Sequence, residues 1–183
     1  MRAPDLEQID PDLHRAVLRA WEALDREPWE IPRPSLRAQI RELLGEGASA
    51  LLALRAAQSV LPMWEALRPD DERAGVLVED IAAALEGAPP QAALVRDRLH
   101  AEATIAAPCL TVRRALVLSH DLAHRSGLSD ESCDLEELCA WAWVDAAPEL
   151  VPSARSAEKM ARAEAFFRWW LSEVVPEAAR KKT

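Results

Sequence analysis

Apolar residues recur along this chain at intervals of three and four, and runs that alternate apolar with polar positions are missing. That period belongs to amphipathic helices, so the pattern predicts helices throughout and no strands. Leu13, Val17, Trp21 and Leu24 share one face and predict a first helix over Pro11–Arg26, with Asp10 as its N-cap. After an extended link at residues 28–34, Ser35 caps a short helix that stops near Gly45 and Gly47. The helix near residues 49–67 is apolar nearly all round. Leu51, Leu54 and Leu61 lie on one side, and Leu52, Val60, Met63, Trp64 and Leu67 cover much of the other. Such a helix belongs at the centre of a bundle, and Pro62 within it predicts a kink or a break.

Further along, the acids Asp70, Asp71 and Glu72 open a helix that Gly87 closes, where they complement the helix dipole. Pro89-Pro90 starts a helix reaching about residue 107, and Pro108 starts another that ends at Ser126-Gly127. Residues 134–144 form a short helix carrying Leu138, Trp141 and Val144. The last helix, residues 157–175, aligns Met160, Ala163, Phe167, Trp170, Leu171 and Val174, with Pro176 ending it and a frayed, solvated tail beyond. The expected architecture is all-α, a single-domain bundle of roughly eight helices over residues 1–183 around the central apolar helix.

Composition narrows the functional classes. Half of the 183 residues are apolar and 29% are charged, which suits a packed domain and excludes wholesale disorder. The formal charge of −9 argues against nucleic acid as a direct ligand and favours a basic partner. Charges or prolines interrupt every apolar stretch before it could cross a membrane, and the first residues carry acids where a signal peptide needs an apolar run. The expected location is cytoplasmic. Cys109, Cys133 and Cys139 lack CxxC spacing and read as reduced, buried thiols.

Chemistry-bearing motifs are few. No P-loop, nucleophile elbow or dinucleotide fingerprint is present, so neither a catalytic residue nor a cofactor is expected. His120 and His124 are four apart on one helix and could supply two metal ligands, but no third ligand stands at helical spacing. On the helical wheel both lie beside Arg113 and away from Leu110, Ala115, Leu118 and Leu122, which reads as a wet polar stripe with no metal. The His120-Asp121 dipeptide resembles the central pair of HD-type phosphohydrolases. That resemblance would make His100 and Asp145 the remaining ligands of a metal-dependent hydrolase.

Charge distribution says more. Between Arg125 and Arg155 there is no lysine or arginine, while Asp130, Glu131, Asp134, Glu136, Glu137, Asp145 and Glu149 accumulate. Such a stretch is either a solvated face or a docking surface whose negative potential steers a basic protein. Asp130, Glu131, Asp134, Glu136 and Glu137 are the candidate partner-binding residues. Trp169 lies off the apolar arc of the last helix and joins them as a candidate aromatic anchor, unless that helix is sandwiched between two layers.

Two stretches carry a family resemblance: residues 52–65, an alanine-rich helix running into Val60-Leu61-Pro62-Met63-Trp64-Glu65, and residues 166–178, which contain Trp169-Trp170-Leu171 and Val175-Pro176. With the acidic turn Pro69-Asp70-Asp71-Glu72 between them, they resemble the Imm-five family of all-α immunity proteins of bacterial polymorphic toxin systems. The resemblance implies a protein without enzymatic activity that neutralises a cognate toxin domain by stoichiometric binding. Charge complementarity points to a basic nuclease as that toxin. It assigns no binding residues, because the shared positions look like core packing. A metal-dependent hydrolase and a non-catalytic helical adaptor are the competing classes.

Overall fold

The computed structural model describes residues 3–26, 32–102, 107–124, 135–145 and 156–182. Among them every regular element is helical: α1 (Pro11–Arg26), α2 (Pro34–Leu44), α3 (Ser49–Leu67), α4 (Arg73–Ala84), α5 (Ala93–Ala101), α6 (Ala107–Ala123), α7 (Leu135–Asp145), α8 (Ser156–Trp169) and α9 (Val175–Lys182). A π-helical turn, Trp170–Val174, joins α8 to α9 without interruption. No described helix is long and apolar enough to cross a membrane.

Helix α3 is the centre of the bundle, packed against α4, α6 and α7. Leu51, Leu52, Ala53, Leu54, Ala56, Ala57, Val60 and Trp64 are all buried on it, as its all-round apolar character requires. Its alanines, with Ala115 on α6 and Ala140 and Ala142 on α7, let neighbouring backbones approach closely. One core cluster runs from Leu13 on α1 to Ala179 on α9. Pro62 does not break α3. It lies at an exposed position, as does Gln58, whose carbonyl loses the Pro62 partner and can be hydrated there.

Helix ends follow local chemistry. Asp10 Oδ1 accepts hydrogen bonds from the backbone N–H groups of Asp12 and Leu13, both at 3.0 Å, as an N-cap does. Ser35 is not a cap. Pro34 occupies the first helical position of α2 instead, where its missing N–H costs nothing. Gly45 at φ +77° and Gly87 at φ +78° follow the helical segments they terminate, in backbone conformations that L side chains rarely adopt. Helix α5 starts at Ala93, later than the proline pair suggests, because Asp80 on α4 accepts from the N–H groups of Gln91 and Ala92 at 2.9 and 3.2 Å.

The C-terminal helix departs most from the sequence pattern. Pro176 does not end it, and the widened π turn immediately before this proline relieves the clash its ring would make in a regular α-helix. The continuation is packed rather than frayed: Ala178 and Ala179 are buried, and α9 contacts α2 and the 3-10 turn Glu46–Ala48. Arg55 on α3 grips Glu177 on α9 through two hydrogen bonds of 2.8 Å.

Candidate functional site

Helix α4 carries Leu77, Asp80 and Ile81 on its buried face, so an aspartate stands in a row that should be apolar. On α6 the buried row Val112–Leu116 continues by steps of four into His120 and His124. These two rows meet. His120 Nε2 lies 2.9 Å from Asp80 Oδ2, and His124 Nε2 lies 3.1 Å from the same oxygen. The side chains of Asp80, His120 and His124 are 5%, 3% and 2% exposed. The expectation of a wet polar stripe is therefore overturned. Leu110 and Leu122 are exposed on α6 together with Arg114, while the row of Arg113, His120, Asp121 and His124 turns inward onto polar groups of α4 and α5. Arg113 shares that face and donates to the carbonyl of Glu102.

A second layer surrounds the cluster. Asp121 is held by Arg96 on α5, whose Nε donates to Oδ1 at 2.8 Å and whose Nη2 donates to Oδ2. Asp121 Oδ1 is 3.8 Å from His120 Nδ1, too far for a hydrogen bond. Burial pushes the His120 imidazole towards the neutral form, but the carboxylates of Asp121 and Asp80 more than offset it and leave its pKa raised. Burial likewise works to raise the Asp80 and Asp121 carboxyls. The N–H groups of Gln91 and Ala92 with the imidazoles, and Arg96 with His120, hold them below the ordinary range. Within this cluster two buried nitrogens lack hydrogen-bond partners: His120 Nδ1, and His124 Nε2, which is close to Asp80 but badly aligned. Unsatisfied buried polar atoms of this kind cost about 1–3 kcal/mol each.

The hydrolase ligand set does not assemble. His100 is exposed on α5. Asp145 is exposed and accepts from Thr111 Oγ1 at 2.8 Å; Thr111 stands nine residues before His120, about 13 Å along the same helix. Sequence reasoning missed Asp80 and Arg96. The legible signal for Asp80 was an acid on the apolar face of α4, whereas nothing in its spacing ties it to histidines 40 residues later.

The candidate docking residues fare differently. Asp130, Glu131 and Asp134 lie outside the described residues. Glu136 and Glu137 open α7 and both face α2: Arg41 Nη1 donates to Glu136 at 2.8 Å, and Arg37 Nη2 donates to Glu137 at 2.8 Å. The Glu136 side chain is 4% exposed and that of Glu137 is 42% exposed. Arg37, itself buried, also stacks over Phe167 at 5.5 Å. Trp169 is half-buried and stacks on Trp143 at 6.2 Å, beside Phe166. Cys109 and Cys139 are buried thiols, the latter donating to the carbonyl of Ala56 at 3.8 Å, and Cys133 lies outside the described residues.

The resemblance-bearing segments around Trp64 form a unit. Trp64 is fully buried at the end of α3, and its Nε1–H donates to the carbonyl of Asp71 at 3.2 Å, which fastens the acidic turn to the helix. Arg68 lies over the indole at 5.1 Å. Glu102 at the end of α5 then receives Arg68 at 2.8 Å and Arg73 at 2.6 Å, and Arg73 also grips Asp71. An open depression of about 860 Å³ lies over this clamp, edged by Leu67, Val76 and Val95.

No family model, curated protein or solved structure matches this chain.

Proposed function

We propose that this chain is an immunity-type protein that neutralises a bacterial toxin domain in the cytoplasm by stoichiometric binding, without turnover. The observation that carries this reading is the clamp around Trp64. The separated elements Val60–Glu65 and Pro69–Glu72, noticed as a motif, form one packed unit with a physical reason to occur together. The acidic balance of the chain supports a basic partner, for which a nuclease domain is the natural class.

Glu136 is oriented into the molecule, so the docking role rests on Asp130, Glu131 and Asp134, with the accessible part of Glu137 and the rim of Trp169. Neutralisation is tested by titrating a candidate toxin domain, such as a small basic domain if one is encoded next to this chain. A stoichiometric binder abolishes toxicity at one chain per toxin and not below. Protection that grows with time at a small fraction of that ratio would instead identify an enzyme acting on the toxin or its product, and absence of any complex would refute the proposal.

A further inference from the structure

The buried histidine pair has a geometry that neither core packing nor the proposed toxin binding uses. His120 Nε2 and His124 Nε2 lie 2.9 and 3.1 Å from one oxygen of Asp80, and the three residues offer donor atoms that all lie within 4.8 Å of one another. Donors around a tetrahedral zinc ion sit about 3.3 Å apart, given metal–ligand distances near 2.0–2.2 Å. The two separations from Asp80 Oδ2, 2.9 and 3.1 Å, are near that spacing, and the third is within 4.8 Å.

Donor orientation is already supported. Asp80 is fixed by the N–H groups of Gln91 and Ala92. Behind His120 stands Asp121, fastened by Arg96 and 3.8 Å from Nδ1, so a small turn of the ring would make the carboxylate–histidine hydrogen bond that orients metal ligands. The buried His124 Nε2 has no hydrogen-bond partner although it lies 3.1 Å from the same oxygen, so an ion there would satisfy it.

We propose that Asp80 Oδ2, His120 Nε2 and His124 Nε2 bind one divalent transition-metal ion of the zinc class. Two imidazole nitrogens and one carboxylate oxygen suit Zn2+, Co2+ or Ni2+ and disfavour Mg2+ and Ca2+, which take oxygen donors. Three protein donors leave one position of a tetrahedral ion for water. The ion joins α4 to α6 and, through Asp80, fixes the start of α5. It also relieves His120 Nε2 of its proton, leaving Nδ1–H free to donate to Asp121.

The full chain, freed of metal by a chelator, is titrated with Zn2+ and with Co2+ above neutral pH, with Mg2+ as control. Expected are uptake of a single ion, a rise in Tm with Zn2+ but not Mg2+, and visible absorption bands with Co2+. His124→Gln should lower affinity at least about 100-fold, and Asp121→Asn about 10- to 100-fold, with helical circular dichroism retained. His14→Ala dismantles the group Asp5, Glu7 and His14, the other described cluster with donor spacing, and should leave metal uptake unchanged although it removes the acceptor of the Leu6 N–H. No saturable uptake and no Co2+ bands in the unsubstituted chain would overturn the site whatever the variants do. Undiminished binding by His124→Gln, or loss with His14→Ala, would overturn it equally. None of these readouts involves a toxin, so the two proposals stand or fall separately.

Discussion

Trp64 shows how one side chain can set the geometry of a whole corner. Its indole fills the core at the end of α3, and its single donor is satisfied by the turn carbonyl of Asp71 rather than by water. Trp64→Ala should cost about 3–5 kcal/mol by leaving a large cavity. Trp64→Phe, which keeps most of the ring and loses the donor, should cost roughly 1–2 kcal/mol. Urea unfolding of the two variants measures both, and a Trp64→Phe cost near zero would show that the hydrogen bond contributes nothing. Trp64 was legible as a core residue from its place on an apolar helix. The histidines were not, because polarity was taken as a proxy for exposure. That proxy fails on α6, where Arg113, His120 and Asp121 find polar partners inside and two leucines are left outside. Ion pairs between residues far apart in sequence have no periodic signature, so Arg37 with Glu137 and Arg96 with Asp121 became visible only in three dimensions.

At the scale of helices and turns, starts and stops were mostly legible where a residue acts on its own backbone. Asp10 and Gly87 are examples; Ser35 and Pro89-Pro90 are exceptions, as is Pro176, where the preceding turn widened to accept it. Gly87→Ala should cost about 1–2 kcal/mol, since φ is +78° there although a Cβ would meet nothing within 4 Å. Gly47→Ala meets no neighbour and no such conformation, and should be neutral or slightly stabilising in the same thermal melts. The turn between α3 and α4 also has a pH signature. Arg73 and Arg68 hold the Asp71 carboxyl below its ordinary 3.8, and Arg68 and Arg73 hold that of Glu102 below its ordinary 4.5. Depressed carboxyls contribute stability that is fully present above those ordinary values and is lost as pH falls through the folded ones. Tm should therefore be level from neutrality to about pH 5 as far as this clamp is concerned, and decline below it. Glu102→Gln should flatten the acid limb while lowering the plateau; an unaltered limb would show that Glu102 does not contribute to it.

Over the whole molecule, arginine stitches the bundle together: Arg37 joins α2 to α7, Arg55 joins α3 to α9, and Arg168 joins α8 to Asp25 on α1. The all-α architecture was legible from periodicity alone, whereas the division of acids between inward bonds and outward field was not. That division makes a prediction for toxin association. Glu136→Gln should lower stability and leave the on-rate unchanged, because the side chain it replaces is turned to Arg41. Asp130, Glu131 and Asp134 replaced together by Ser should slow association and reduce its salt dependence in stopped-flow measurements. The reverse pattern would move the docking surface elsewhere. The seat of α9 against α2 and the turn before α3 bears on the route to this structure. Segments separated by more than a hundred positions must find each other before the bundle closes, so the search is longer than in a bundle built from adjacent hairpins. Helix-rich chains are commonly quick to self-assemble; this one seats its last helix on α2 and the turn before α3, a pairing of high sequence separation.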